Sequence, residues 1–132
     1  MAELEKKKPD SRGYLVEFMK ASELPAGMKE FSQIYVTTMT PGAVRGNHYH
    51  KNRYEWFAIF NGRVLVVLED VNTKERKEIM LDDSGDKLKR VRIRNSVAHA
   101  FKNVSDTKVV LVAYTDRVYD PSAPDTYEYK LL

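Results

Sequence analysis

Residues 42–62 read GAVRGNHYHKNRYEWFAIFNG and carry the clearest structural pattern in the chain. Two apolar, β-prone runs, residues 55–60 and 63–68, flank the dipeptide Asn61-Gly62. Asn-Gly suits the two positive-φ positions of a type I′ turn. The pattern therefore predicts two antiparallel strands joined as a hairpin.

Similar short runs, separated by turn residues, extend in both directions from this segment. They predict further strands at residues 14–19, 32–39, 76–81, 88–93, 99–103 and 108–114. Only residues 21–30 or the tail could hold a short helix. The length of 132 residues indicates one domain, which we place at residues 10–132 after a charged, flexible segment at residues 1–9. Many short strands in one small domain favour a sandwich or barrel.

The composition excludes several classes of protein. The absence of cysteine rules out a disulfide scaffold, a cysteine zinc site and a thiol nucleophile. The net charge is only +3, and the one dense basic run, residues 87–94, has no aromatic residue for base stacking. We interpret this run as a solvated strand face, with attraction of a phosphorylated ligand as the alternative, and we expect no nucleic-acid partner. Because the chain has neither a long apolar run nor a secretory signal, we expect a soluble cytoplasmic protein with no membrane contact.

The three histidines of the chain form the candidate functional centre. His48 and His50 are two residues apart on a predicted strand, so both imidazoles face the same side. Glu55 follows after a polar stretch that can turn the chain, and His99 shares a strand face with Phe101. Three imidazoles and one carboxylate form a ligand set for a divalent metal, with zinc expected first and iron, manganese, nickel or cobalt as alternatives.

The spacing of these residues resembles the first motif of the cupin superfamily in every position. The matching residues are Gly42, His48, His50, Glu55 and Gly62. The end of the second cupin motif is matched by His99 and Asn103, whereas residues 94–96 replace its earlier Pro-x-Gly. The resemblance implies an all-β protein, a single cupin-type antiparallel jelly-roll β-barrel. It also implies a metal in the mouth of the barrel, held by His48, His50, Glu55 and His99.

Three further segments resemble the sugar-nucleotide branch of the cupins, the dTDP-4-dehydrorhamnose 3,5-epimerase-like proteins. They are residues 10–17, 42–49 and 115–121. The resemblance implies that Arg12 binds the diphosphate of a nucleotide-diphospho-sugar. It also implies that His48 is the general base that removes a proton next to the 4-keto group. Arg45 and Lys51 lie in a segment that is similar to the sugar 3,4-ketoisomerases, and we assign both to substrate binding.

Three departures from the epimerase pattern fall on the reacting residues. The epimerases have glutamine at the position of His50, lysine at that of Glu55 and the acid tyrosine at that of Val112. Tyr114 lies two residues further on the same strand face and is the candidate replacement. The combination is most similar to the cupin domain at the C-terminus of capsular-polysaccharide sugar reductases. That resemblance implies a bound metal and a UDP-linked 4-keto hexose.

These resemblances imply a metal-binding epimerase or isomerase that acts on a nucleotide-linked 4-keto hexose in surface polysaccharide biosynthesis. The alternatives are a metal-dependent cupin dioxygenase and a non-catalytic sugar-binding cupin. A lone pair that His48 gives to a metal cannot also accept a proton, and the sequence leaves both roles open. The resembled family also implies a homodimer in which the strand at residues 14–19 is exchanged between subunits.

Overall fold

The computed structural model describes residues 2–11, 13–24 and 32–132. The strands in these residues are β1 Ala2–Lys6, β2 Lys8–Asp10, β3 Gly13–Leu15, β4 Gln33–Met39, β5 Val44–Tyr49, β6 Glu55–Phe60, β7 Arg63–Asp70, β8 Arg76–Asp82, β9 Lys87–Ile93, β10 Val97–Asn103, β11 Val109–Thr115 and β12 Tyr127–Glu128. A 3₁₀ turn at Ala21–Glu23 is the one helical element of the described chain. Nothing helical in these ranges is therefore long and apolar enough to span a lipid bilayer.

Two five-stranded sheets build the domain. Sheet 1 has the strand order β1-β9-β6-β11-β4, and sheet 2 has the order β12-β5-β10-β7-β8. All pairings within the two sheets are antiparallel. From β4 to β7, and again from β8 to β11, successive strands alternate between the sheets. This jelly-roll arrangement confirms the predicted fold class.

The two sheets pack face to face through alternate residues of their strands. On β6, Phe57 and Ile59 point inward, and on β7 Val64 and Val66 do the same. None of these four side chains is more than 2% exposed. Phe57 also lies beside His99, with ring centroids 6.0 Å apart. The apolar core therefore borders directly on the histidines.

Asn61 and Gly62 occupy a turn with positive φ at both positions, 70° and 83°, as the sequence predicts. The hairpin prediction is wrong, however, because β6 lies in sheet 1 and β7 in sheet 2. The Asn61 amide donates to the backbone oxygen of Lys108 at 3.1 Å, so the turn is fastened to a distant loop. The local turn chemistry specifies the φ angles but not the partner of each strand.

The N-terminal residues differ from the flexible segment that the sequence predicts at residues 1–9. Residues 2–6 form β1 and pair with β9 at the edge of sheet 1. Arg90, only 2% exposed, holds this edge through an ion pair with Glu3 at 2.5 Å. The expected strand at residues 14–19 is reduced to β3, which pairs with β2 of the same chain. Strand exchange between subunits remains a prediction.

Gly46 marks a close approach of β5 to β10. Its φ is +88°, and a Cβ here would lie 2.6 Å from the His99 backbone oxygen and 3.2 Å from the Ala100 Cα. Gly42 has a similar φ of +79°, but nothing lies within 4 Å of its Cβ position. Both conformation and space therefore require glycine at position 46, where β5 is set beside His99.

We expect Gly46→Ala to lower the free energy of unfolding more than Gly42→Ala does. Both variants place alanine at a positive φ, which costs about 1–2 kcal/mol. Only Gly46→Ala pushes a methyl group into β10, and such overpacking adds about 1–3 kcal/mol. Urea denaturation of the two variants measures the difference. Equal losses would show that β5 and β10 separate without cost, contrary to this account.

Candidate metal centre and its cavity

His48, His50 and His99 converge in the interior. His48 lies in β5 opposite His99 in β10, in the register of sheet 2, and His50 follows β5 directly. Ring nitrogens of the three residues all lie within 4.8 Å of one another. The structure thus brings the histidines together as their spacing predicts.

Glu55 joins this cluster from the opposite sheet. It is the first residue of β6 in sheet 1, because the chain crosses between the sheets over residues 50–54. Its Oε2 lies 3.4 Å from the Nε2 of His50 and 3.3 Å from the Nε2 of His99. Glu55 and His99 are each 1% exposed, and His50 is 4% exposed. The turn that the sequence requires between the histidines and Glu55 is therefore this crossing.

Backbone carbonyls orient two of the imidazoles. The Nδ1 of His50 lies 2.5 Å from the Asp125 oxygen, and the Nδ1 of His99 lies 3.2 Å from the Val97 oxygen. Because a carbonyl oxygen only accepts, each Nδ1 carries the hydrogen. In a neutral ring the Nε2 then presents a lone pair, and both Nε2 atoms face Glu55.

Burial controls the protonation of the centre. It lowers the pKa of His99 to about 4, because water no longer stabilises the charged ring, and it also lowers the pKa of His48. Burial alone would raise the pKa of Glu55, but His50, His99 and Arg53 hold that pKa below its ordinary value. At neutral pH the centre therefore contains neutral imidazoles at His48 and His99 and an ionised carboxylate at Glu55. Metal ions bind these groups in those forms.

Two buried atoms of the centre lack a hydrogen bond, the Nε2 of His50 and the Oε2 of Glu55. Two acceptors that face each other away from water are unfavourable unless a cation or proton lies between them. Imidazole nitrogen and carboxylate oxygen are ligands that zinc and other divalent first-row metals accept. The residues present therefore fit the metal that the cupin resemblance implies.

Arg53 is a neighbour of the centre that the sequence analysis did not identify. Its Nη1 lies 3.5 Å from the Oε1 of Glu55, and its side chain is only 11% exposed. Its Nε is buried without a hydrogen bond. The guanidinium therefore adds positive charge beside the carboxylate and keeps one donor unused.

Two adjoining cavities, of about 330 and 340 Å³, open beside the centre. The first is lined by residues that include Tyr35, Thr37, Arg45, His48, Phe57 and Phe101. The second is lined by residues that include Gln33, Tyr35, His48, Arg53, Glu55 and Tyr119. Tyr35 and His48 line both cavities and so lie where the two meet. Each volume is at the lower end of the range of small-molecule sites, about 300–1,000 Å³.

The predicted substrate-binding residues have different surroundings. Arg45 lines the first cavity, and its Nε and Nη2 both donate to the Thr38 oxygen at 3.1 Å. Lys51 is not among the residues that line either cavity, because its ammonium group lies over the Tyr127 ring, 4.3 Å from the centroid. Arg12 lies outside the described residues.

The structure does not bring Tyr114 to the cavity. Tyr114 pairs with Trp56 across β11 and β6, and the two rings pack with centroids 5.7 Å apart. The inward positions of β11 are Leu111 and Ala113, which belong to the core. Because side chains alternate along a strand, Tyr114 points away from the histidines.

Tyr35 packs against the core and also lines both cavities. The sequence predicts a core or interface aromatic at this position, and the Tyr35 ring does pack against the core. The same inner face of β4 places Gln33, Tyr35 and Thr37 at the cavities. The outer face carries Ile34 and Val36, which are 48% and 62% exposed. Burial, and then the negative charge of Glu55, raise the pKa of Tyr35, so the hydroxyl stays protonated at neutral pH.

Known proteins share this architecture. A solved structure of CapF, a capsular polysaccharide assembling protein from Staphylococcus aureus, matches with a TM-score of 0.71 and 31% identity, over 96% of this chain and 34% of that chain. ChmJ, a 3'-monoepimerase from Streptomyces bikiniensis in complex with dTDP-quinovose, matches with a TM-score of 0.79 and 19% identity, over 96% of this chain and 67% of that chain. At that identity ChmJ shows the fold alone.

A curated relative and a family model extend the comparison. The chain is 29% identical over 118 residues to a UDP-2-acetamido-2,6-beta-L-arabino-hexul-4-ose reductase from Pseudomonas aeruginosa, over 89% of this chain and 29% of that protein. It thus spans about a third of the length of the reductase and of CapF. The model described as the polysaccharide biosynthesis C-terminal domain matches residues 8–127. Because that match covers most of this chain, the chain belongs to the polysaccharide biosynthesis C-terminal domain family.

Proposed function

We propose that this chain is a metal-binding cupin that acts as an epimerase or isomerase on a nucleotide-linked 4-keto hexose in surface polysaccharide biosynthesis. The observation that carries the proposal is the set of His50, His99 and Glu55, buried beside cavities that His48 and Tyr35 line. The similar protein from P. aeruginosa is named as a reductase of a UDP-linked hexul-4-ose. That name supports a nucleotide-linked keto sugar as the substrate class.

Zinc is the metal that we propose for the centre. His50, His99 and Glu55 would hold it, and His48 is close enough to be a fourth ligand. When bound, a divalent ion supplies a Lewis acid that stabilises negative charge on a keto oxygen.

His48 is the proposed general base. It is less buried than His50 and His99, and it lines both cavities. Burial lowers its pKa, so the ring is neutral at pH 7 and can accept the proton on the carbon next to the 4-keto group. One lone pair cannot serve a metal and a proton at once. This assignment therefore requires that the three buried residues retain the metal without His48.

Arg45 is the proposed contact for the diphosphate of the substrate. Its hydrogen bonds to the Thr38 oxygen hold the guanidinium at the wall of the first cavity. A planar guanidinium suits diphosphate oxygens in both charge and geometry. Arg12 and Lys51 remain proposed substrate contacts on the resemblance alone.

We expect about one zinc ion per chain in protein that is loaded with zinc and then desalted. His50→Gln and His99→Gln should each lower this content well below one equivalent, because each removes a buried ligand. His48→Gln should retain the metal. Elemental analysis of the four proteins measures the difference. Full occupancy in both buried-histidine variants would contradict the centre, and loss of zinc in His48→Gln would contradict its role as the base.

We also expect the protein to exchange the C3 proton of a UDP-linked or dTDP-linked 4-keto hexose with solvent deuterium. Removal of this proton gives an enolate, and reprotonation from D₂O introduces the label even where equilibrium hides net conversion. His48→Gln should abolish the exchange. Proton NMR of the sugar in D₂O follows the reaction. If neither nucleotide sugar exchanges with zinc-loaded wild-type protein, the enzyme class is wrong and a binding function is favoured.

A further inference from the structure

A further cavity, which we call the outer cavity, lies beside the metal centre and has no part in the proposed reaction. Its volume is about 480 Å³, larger than that of either cavity at the centre. Arg53 is the one described residue that lines both the outer cavity and a cavity of the centre. The residues that line the outer cavity include Asn52, Arg53, Asp116, Arg117, Asp120 and Asp125. The outer cavity is thus a separate space within the size range of small-molecule sites, about 300–1,000 Å³.

The loop at residues 116–125 forms one wall of the outer cavity, and both of its ends are fastened to the crossing between the sheets. At the first end, the Asp116 N–H donates to the Tyr54 oxygen at 3.2 Å, and the Asp116 Oδ1 accepts from the Tyr54 N–H at 3.0 Å. At the other end, the Asp125 carboxylate accepts from the backbone N–H groups of residues 51 and 52 at 3.0 and 2.8 Å. The cavity is therefore formed before any ligand arrives, which reduces the entropy that binding would cost.

Two arginines supply hydrogen-bond donors to the outer cavity. The Nε of Arg53 is buried without a hydrogen bond, while its Nη1 faces Glu55. Arg117 is exposed, and its side chain makes no hydrogen bond or ion pair to the part of the chain that the structure describes. A buried donor without a partner is unfavourable, so an acceptor oxygen of a ligand would stabilise Arg53 in particular.

The carboxylates supply acceptors and also set the charge. Asp116 and Asp120 each use Oδ1 for bonds within the protein, and an ionised carboxylate can accept about four hydrogen bonds, so both keep acceptor capacity. Two guanidinium groups share the cavity with the carboxylates of Asp116, Asp120 and Asp125. The cavity therefore has no excess of positive charge to attract a phosphate or another anion. Donors beside acceptors suit hydroxyl groups, each of which both donates and accepts.

We propose that the outer cavity binds a neutral sugar through its hydroxyl groups, as a carbohydrate subsite separate from the metal centre. Arg53 and Arg117 donate to hydroxyl oxygens, while Asp116 and Asp120 accept from hydroxyl groups. A pyranose ring carries several hydroxyl groups in a small volume, and the family of this chain belongs to polysaccharide biosynthesis. The inference goes beyond the proposed function, because the sugar held here does not react.

A titration of ¹⁵N-labelled protein with the methyl glycosides of glucose, galactose and mannose tests the subsite by ¹H–¹⁵N NMR. We expect at least one of these sugars to shift the amide signals of residues 116–125, with saturation at millimolar concentration. Arg117→Ala should weaken this binding by at least about tenfold, because it removes a charged donor. Arg63→Ala is the matched control. It removes the same charge from an exposed position at the start of β7, outside the cavity, and should leave the binding unchanged.

Four other results would overturn the subsite. If none of the three sugars shifts the signals of residues 116–125, the cavity does not bind neutral sugars. If inorganic phosphate shifts these signals and the sugars do not, the cavity is an anion site. If the sugars shift only the signals around His48 and Tyr35, they bind at the centre. If Arg63→Ala weakens binding as much as Arg117→Ala, the effect comes from net charge and not from a contact in the cavity. The proposed function stands in each case, because the probes carry no keto group and the reaction does not use the outer cavity.

Discussion

A buried carboxylate that faces imidazole nitrogens is the constraint on which the rest of this structure depends. The Oε2 of Glu55 lies 3.3 and 3.4 Å from the Nε2 atoms of His99 and His50. Removing an ionised carboxylate from water costs several kcal/mol. Arg53 compensates on the other oxygen of Glu55, but the imidazole side has no hydrogen donor once each Nδ1 carries the proton. A divalent cation at this point would satisfy all three ligand atoms together.

Both sheets and the C-terminal tail contribute residues to this centre or contacts that orient it. Sheet 2 supplies the histidines, while sheet 1 supplies Glu55 and, on the facing wall, Tyr35. The tail is fastened to β5, because the side-chain oxygen of Asn47 accepts from the backbone N–H groups of residues 131 and 132 at 2.8 and 3.0 Å. The tail also contributes the Asp125 oxygen that orients His50. The tail is thus fastened to β5 and orients one histidine of the centre.

Local chemistry made part of this arrangement predictable from the sequence. The two-residue spacing placed the histidines on one face, and Asn61-Gly62 gave the correct φ angles. Strand pairing was less predictable, because it joins residues far apart in the sequence, as where His48 of β5 pairs with His99 of β10. The core contact of Tyr35 was expected from the sequence, but its place at the cavities was not, because β4 carries apolar residues on its exposed face. Tyr114 lies outside the cavity because the preceding residue, Ala113, points into the core. The alternation of side chains along a strand does not by itself show which face is the inner one.

The most direct test of the central claim is long-range ¹H–¹⁵N NMR of the histidine rings, recorded at pH 7 before and after addition of zinc. The account predicts that His50 and His99 carry hydrogen on Nδ1 in the metal-free protein, since carbonyl oxygens hold those atoms. On addition of one equivalent of zinc, their Nε2 resonances should move to the values of metal-bound nitrogen while the Nδ1 hydrogens persist. Rings that carry hydrogen on Nε2, or Nε2 resonances that zinc leaves unchanged, would contradict a metal centre built around Glu55.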